Sequence, residues 1–213
     1  MPFKNRAQAA RLLAERLAKY RGDNPLVLAI PRGAVPMGKI IAESLGGQLD
    51  VVLVHKLGAP GEPELAIGAV DETGQVYIAD YVESLDIGKD YIEAEKQTQL
   101  QALGKRRALY TPFRPPIDPS GRIVIVVDNG IATGATMIAA LRAVRARKPA
   151  KLIAAAAVIS PETLERIARE ADEVVCLEVP EFFYAVGEFF EDFSQVSDEE
   201  VIESLREVKT AKD

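Results

Sequence analysis

Five short runs in this chain are apolar with almost no polar alternation: residues 26–30, 51–54, 123–127, 152–159 and 174–179. A strand with one wet face alternates polar and apolar residues. A run that stays apolar suits a strand covered on both faces, the condition of a parallel sheet. Segments of helical period separate the runs. Residues 5–20 place Ala10, Leu13, Ala14 and Leu17 on one face, and Gly22, Asp23, Asn24 and Pro25 end the segment. Met37, Ile40, Ile41 and Leu45 point inward on the next helix, which stops at Gly46-Gly47. Later helices present Met137, Ala140, Leu141 and Val144, then Leu164, Ile167, Ala168 and Ala171, and last Val201, Ile202, Leu205 and Val208. Buried strands alternating with amphipathic helices predict an α/β fold: a doubly wound, mainly parallel five-stranded sheet with helices on both faces. Ligand sites then lie at the carboxyl ends of the strands.

Two regions break the alternation. Residues 58–80 hold a Gly/Pro-rich loop, then 66–70 and 76–79 around Asp71-Glu72-Thr73-Gly74, which reads as a β-hairpin beside the sheet. A polar helix over about 89–110 has a poor apolar stripe, and an extended segment with four prolines (111–121) follows it. The second region, 180–196, is dense in Phe. The expected organisation is one domain over 1–213. Its core covers about 25–179, its accessory region 65–110, and a small C-terminal hood and helix 180–208.

Composition narrows the function. Lys+Arg 26 against Asp+Glu 32 gives a net charge of −6, without the positive field that binds nucleic acid or anionic lipid. One Cys and one His exclude a disulfide framework, Cys-rich zinc sites and multi-His metal sites. No run of 18 apolar residues predicts a membrane helix, and the first 20 residues carry scattered charge unlike a secretory signal. These features point to a reduced, cytoplasmic protein, with neither nucleic acid nor membrane as partner.

Residues 122–137 carry the chemistry. A buried strand ends in Asp128, a loop of small and hydroxyl residues follows, and a helix starts near Ala135. Main-chain N–H groups of such a loop, with a helix N-terminus, make a concave site for phosphate. Gly130 and Gly134 admit close backbone approach, Thr133 and Thr136 add hydroxyl donors, and Asp128 can accept from two hydroxyls or hold hydrated Mg²⁺. The combination fits a sugar 5-phosphate. No Lys follows Gly134, so it is not a Walker A loop, and GxGxxG is absent.

Residues 126–136, Val-Val-Asp-Asn-Gly-Ile-Ala-Thr-Gly-Ala-Thr, closely resemble the phosphoribosyl pyrophosphate (PRPP) motif of type I phosphoribosyltransferases. The resemblance implies transfer of 5-phosphoribosyl from PRPP to a nitrogen acceptor, a nucleobase foremost, with release of pyrophosphate and with Mg²⁺ as cofactor. It assigns Gly130, Ile131, Ala132, Thr133, Gly134, Ala135 and Thr136 to the 5-phosphate. Asp128 and Asn129 fall at the catalytic positions beside the ribose, with Asp128 also a Mg²⁺ ligand, through water or directly. Arg32, Gly33 and Lys56 handle pyrophosphate, and residues 55–61 resemble the start of the family's closing loop. Phe183 and Tyr184 resemble the acceptor-stacking hood of purine-type members, with Asp192 a weak second metal candidate. The family often dimerises, and helix 89–110 is the candidate surface for a homodimer.

One position departs from the pattern. The family usually carries two acidic residues where this chain has Asp128-Asn129, and Asn supplies no second negative charge. Losing one charge-assisted contact is worth roughly 1.5–3 kcal/mol. Two readings stay open: an active transferase, or a catalytically weak or inactive PRPP- or nucleotide-binding regulator. Elsewhere ordinary readings suffice. Cys176 lies in an apolar strand as a buried thiol, His55 is a polar strand-end residue, and Glu62 and Glu64 are solvated loop carboxylates.

Overall fold

The computed structural model describes residues 2–78, Val82, Leu85 and 87–207. In chain order the elements are α1 (Arg6–Arg16), β1 (Leu26–Ala29), α2 (Val35–Leu45), β2 (Gln48–Val51), β3 (Val54–Ala59), β4 (Glu62–Asp71) and β5 (Val76–Ile78). Then come α3 (Lys89–Tyr110), β6 (Ile123–Ile131), α4 (Ala135–Ala146), β7 (Lys151–Ile159), α5 (Pro161–Ala168), β8 (Glu173–Glu178) and α6 (Asp198–Glu207). The expected hairpin end at Ala79 and the inward Val208 lie outside the described residues. No helix among the described residues is long and apolar enough to cross a membrane.

Five strands form a parallel sheet in the order β2-β1-β6-β7-β8. Its residues alternate between two buried faces, which is why the runs read as continuously apolar. Val27, Ala29, Ile125, Val127, Ile153 and Ala155 join the core beneath α1, α2 and α6. Leu26, Leu28, Val124, Val126, Leu152 and Ala154 join the core beneath α4 and α5. The chain leaves β1 toward one edge of the sheet and leaves β6 toward the other. The carboxyl ends of β1 and β6 therefore flank the crevice where doubly wound folds bind ligands.

The apolar run 51–54 is not one strand. Pairing with β1 ends at Val51 opposite Ala29, and β3 starts at Val54 in a second, antiparallel sheet of order β3-β4-β5. Val52 and Leu53, 7% and 1% exposed, cross between the sheets through the core, so burial rather than pairing explains their character. The expected hairpin is β4–β5, paired Gly68 to Ile78, Ala69 to Tyr77 and Val70 to Val76. The Gly/Pro-rich stretch, expected as a loop, instead pairs as β3 against β4, with register shifts on either side of Gly58. Glycine and proline signalled those irregularities, not an unpaired loop.

A polar latch joins this small sheet to the large one. Arg107 on α3 donates from Nε and Nη2 to the Glu72 carboxylate at 2.6 Å each, from Nη2 to Val51 O at 3.1 Å, and from Nη1 to Asp50 at 3.4 Å. Asp50 also accepts from the N–H groups of Val51 and Ile117 at 2.7 and 2.9 Å. Burial pushes the Asp50 carboxyl upward, and those N–H groups and Arg107 oppose the shift. Leu103 and Tyr110 are the buried residues of α3, and Tyr91, Ile92 and Leu100 pack half-buried against the core; the short apolar contact explains its weak stripe. Near its start, the Tyr91 hydroxyl donates to Gly58 O at 2.9 Å.

The aromatic hood is tied down by the N-terminal segment. Phe3 N–H donates to Phe189 O and Glu191 N–H to Phe3 O, both at 2.8 Å. The Phe3 and Phe190 rings lie 5.5 Å apart, and Phe190 stacks on Phe193 at 4.9 Å.

Candidate active site

Strand β6 continues past the apolar run to Ile131, pairing with β7 out to Ile159. The chain then turns at 132–134 into α4. Two peptide groups of this turn are pinned from outside by α5 and the residue before it. Ala132 O accepts from the hydroxyls of Ser160 at 2.8 Å and Thr163 at 2.6 Å, and Thr133 O accepts from Arg166 Nη1 at 3.1 Å. In a trans peptide the N–H points opposite its carbonyl. Fixing these carbonyls toward α5 therefore turns the N–H groups of Thr133 and Gly134 away from it. Among the described residues the N–H groups of Ala132, Thr133 and Gly134 donate to no backbone carbonyl. The Ala132 and Thr133 side chains are exposed, and Thr136 is half-buried in the first turn of α4. The bend is open, with donors free for an anion.

Gly134 caps α4 with φ +78°, and a methyl group there would stand 2.6 Å from Thr163 Cγ2. This glycine serves both the left-handed turn and the contact with α5. Gly130 also has a packing use. A methyl group there would meet Val158 at 2.6 Å and Val186 at 2.7 Å, so the hood packs directly on the end of β6.

Asp128 is half-buried at the carboxyl end of β6, and its Oδ1 accepts from Asn129 N–H at 2.7 Å. Removal from water pushes its carboxyl up to about 7, only partly offset by that N–H. Asn129 is 8% exposed. Its Oδ1 accepts from Arg6 Nε at 3.0 Å, and its Nδ2 lies where a methyl group on Gly33 would stand 2.5 Å away. Arg6 also donates from Nη1 to Ser194 O at 2.7 Å, and its guanidinium covers the Phe193 ring at 4.0 Å. Asn129, Gly33 and Arg6 thus meet at the crevice between β1 and β6.

The other expected residues surround this meeting point. The 31–34 loop leaves β1 with a cis Pro31–Arg32 peptide and enters α2. Arg32 is exposed and pairs with Asp198 at 3.4 Å; Asp198 in turn accepts from the buried Tyr110 hydroxyl at 2.7 Å. Lys56 stands on β3, opposite Ala69. In the hood, the Phe183 ring rests on Phe189 at 5.4 Å, while Tyr184 is 82% exposed and presents its ring to solvent. Asp192 is exposed, its side chain accepts from Ser194 N–H at 3.2 Å, and it lies near Arg6. Among the described residues no three His, Cys, Asp or Glu side chains cluster as a metal site.

Sequence reasoning missed Arg6, Ser160, Thr163 and Arg166. Each acts across a long separation, 123 residues for Arg6 with Asn129 and 31 for Thr163 with Ala132. The Ser-Pro-Glu-Thr stretch at 160–163 signals a helix start, but nothing local says which loop it grips.

The phosphoribosyl transferase domain family matches residues 4–193. Two Mycobacterium tuberculosis proteins with provisional phosphoribosyl transferase names are 42% identical over 204 residues, 95% of this chain and 46% of theirs. The chain thus spans about half the length of these curated relatives. A crystal structure of a Thermus thermophilus protein is 45% identical, covers 97% of this chain and 99% of that one, and superposes with a TM-score of 0.86. A protein from Aquifex aeolicus, at 15% identity and TM-score 0.50 over 82% of this chain and 72% of that one, shares the fold alone.

Proposed function

Because the chain belongs to the phosphoribosyl transferase family, we propose that it transfers the 5-phosphoribosyl group of PRPP to a nitrogen acceptor and releases pyrophosphate. The observation that carries this reading is the open 132–136 bend, with its N–H groups held outward by α5 beside the Asp128 carboxyl. In this reading the bend and Thr133 and Thr136 hold the 5-phosphate. Asp128 accepts from ribose hydroxyls. Arg32, the Gly33 backbone and Lys56 face the leaving diphosphate, and the exposed Tyr184 ring stacks on a planar acceptor. The C1–O bond breaks with its electron pair on the diphosphate, a C1–N bond forms, and the proton displaced from the acceptor nitrogen passes to the released diphosphate or to water. Positive charge develops on the ribose in between, as in glycoside cleavage. The protein's part is to position the two ends of PRPP and stabilise that charge.

Asp128 suits Mg²⁺ as a donor. It is a hard oxygen ligand with no cation hydrogen-bonded to it among the described residues, and a nearby positive charge would keep it ionised. Among the described residues no three ligating side chains cluster there, so Mg²⁺ would also need oxygens from substrate and water. A Mg²⁺ ion held by Asp128 would offset negative charge on the diphosphate.

Pyrophosphate release from PRPP with Mg²⁺, assayed across a panel of nucleobases and amines, tests the reading. Release with one acceptor is the expected result. Tight PRPP binding without release would favour the regulator instead, a reading supported by the Arg6 bond that occupies the Asn129 oxygen. Failure to bind PRPP at all would remove both.

The grip of α5 on the bend gives a milder test. Thr163 is 3% exposed, and Thr163→Val keeps its shape while deleting the hydroxyl that holds Ala132 O. One buried hydrogen bond is worth about 1 kcal/mol. Ribose 5-phosphate affinity, read by calorimetry, should fall about fivefold.

A further inference from the structure

We propose that Arg6 and Asn129 form a donor pair that binds the leaving diphosphate, and that Asn129 is not a second acceptor for the ribose. The proposal rests on the phosphoribosyl-transfer reading above.

The hydrogen-bond inventory fixes the direction of the amide. A guanidinium can only donate, and an Asn side chain has one accepting oxygen and one NH₂ group. The atom 3.0 Å from Arg6 Nε must therefore be the Asn129 oxygen. The NH₂ is then turned toward the 31–34 loop. A methyl group on Gly33 would stand 2.5 Å from Asn129 Nδ2 and 3.5 Å from Arg6 Nη2. Nε and Nη1 of Arg6 are committed to Asn129 and to Ser194 O. Among the described residues, Nη2 and the Asn129 NH₂ have no acceptor. Two N–H groups, one on a cation, thus lie side by side against the one loop residue that lacks a side chain.

That arrangement suits an anion rather than a hydroxyl seeking an acceptor. Arg6 is also held in advance by the Phe193 ring at 4.0 Å and by Ser194, so little side-chain order is lost on binding. Asp192 and Glu200 are the acidic groups near Arg6, and neither is hydrogen-bonded to it among the described residues. The neutral residue at 129 now has a physical reason. A carboxylate there would pair with Arg6 and cancel the charge the ligand needs, whereas an amide fixes the guanidinium and leaves its charge unspent.

The test is calorimetry on the full chain, with Mg²⁺-pyrophosphate and with ribose 5-phosphate as separate ligands. Asn129→Asp should weaken pyrophosphate about tenfold or more and leave ribose 5-phosphate within about twofold. Arg6→Gln should show the same selectivity. Because Arg6 also anchors the hood, Asn129→Asp, which keeps Arg6 in place, serves if Arg6→Gln fails to fold. Unchanged or tighter pyrophosphate binding in Asn129→Asp overturns the proposal, as do parallel losses for both ligands, since a structural role would affect both ends of the site. If the unaltered chain binds ribose 5-phosphate but not pyrophosphate, the proposal fails alone. If it binds neither, the phosphoribosyl-transfer reading fails with it.

Discussion

Gly134→Ala is expected to lower stability by about 2–3 kcal/mol and to remove most of the affinity for a sugar 5-phosphate. Two costs add. At φ +78° an alanine Cβ crowds its own backbone, a penalty of roughly 1–2 kcal/mol. The same methyl group would stand 2.6 Å from the Cγ2 of Thr163, which is itself 3% exposed and has little room to retreat. Relief requires α5 to move outward, carrying away the groups of Ser160, Thr163 and Arg166 that hold the two carbonyls of the bend. Stability and ligand affinity should therefore fall together. Urea unfolding and ribose 5-phosphate calorimetry on one preparation check this. A variant that loses stability yet binds within about twofold of the unaltered chain would show that the phosphate is held elsewhere.

Asp128→Asn is expected to separate activity from stability. Removing the carboxylate that the proposed reading places at the ribose should reduce turnover by about two to three orders of magnitude, the usual effect of deleting one preorganised polar contact. Stability should move the other way, and only in one pH range. The Asp128 carboxyl sits at about 7 in the folded chain, above the ordinary aspartate value of 3.8. Between those values the folded state binds a proton that the unfolded state has lost. The unliganded protein therefore loses stability as pH rises through that window. Asn carries no such term. At pH 8 the variant should be more stable by on the order of 2 kcal/mol, allowing for partial solvent access, or roughly 4–8 °C for a chain of this size. At pH 4 the two proteins should melt alike. Thermal melts at the two pH values decide it. A variant less stable at pH 8 would mean that Asp128 stabilises the empty protein.

The parallel sheet was legible because its inner strands are buried on both faces, so Leu26 to Ile30 and Leu152 to Ile159 carry no solvent-facing alternation to confuse the reading. The bend after Asp128 was legible because its turn, hydroxyls and helix start are contiguous in sequence. Val52 and Leu53 misled because apolar character reports burial, and the core between two sheets is as dry as a strand. Residues 58–63 misled because Gly and Pro mark a bulged, tightly turned hairpin as readily as an open loop. Arg6 could not be found at all: it stands at the start of a helix, and its partners Asn129, Ser194 and Phe193 are brought to it only by the folded chain.

The latch of Arg107 with Glu72 and Asp50 clamps the base of the β3–β4 ribbon to the main sheet. Beyond that anchor the ladder is irregular on either side of Gly58, so the outer turn of the ribbon is held by less regular pairing than its base. Lys56, opposite Ala69, lies between the latch and those irregularities, so its place is set by the regular, anchored part of the ribbon.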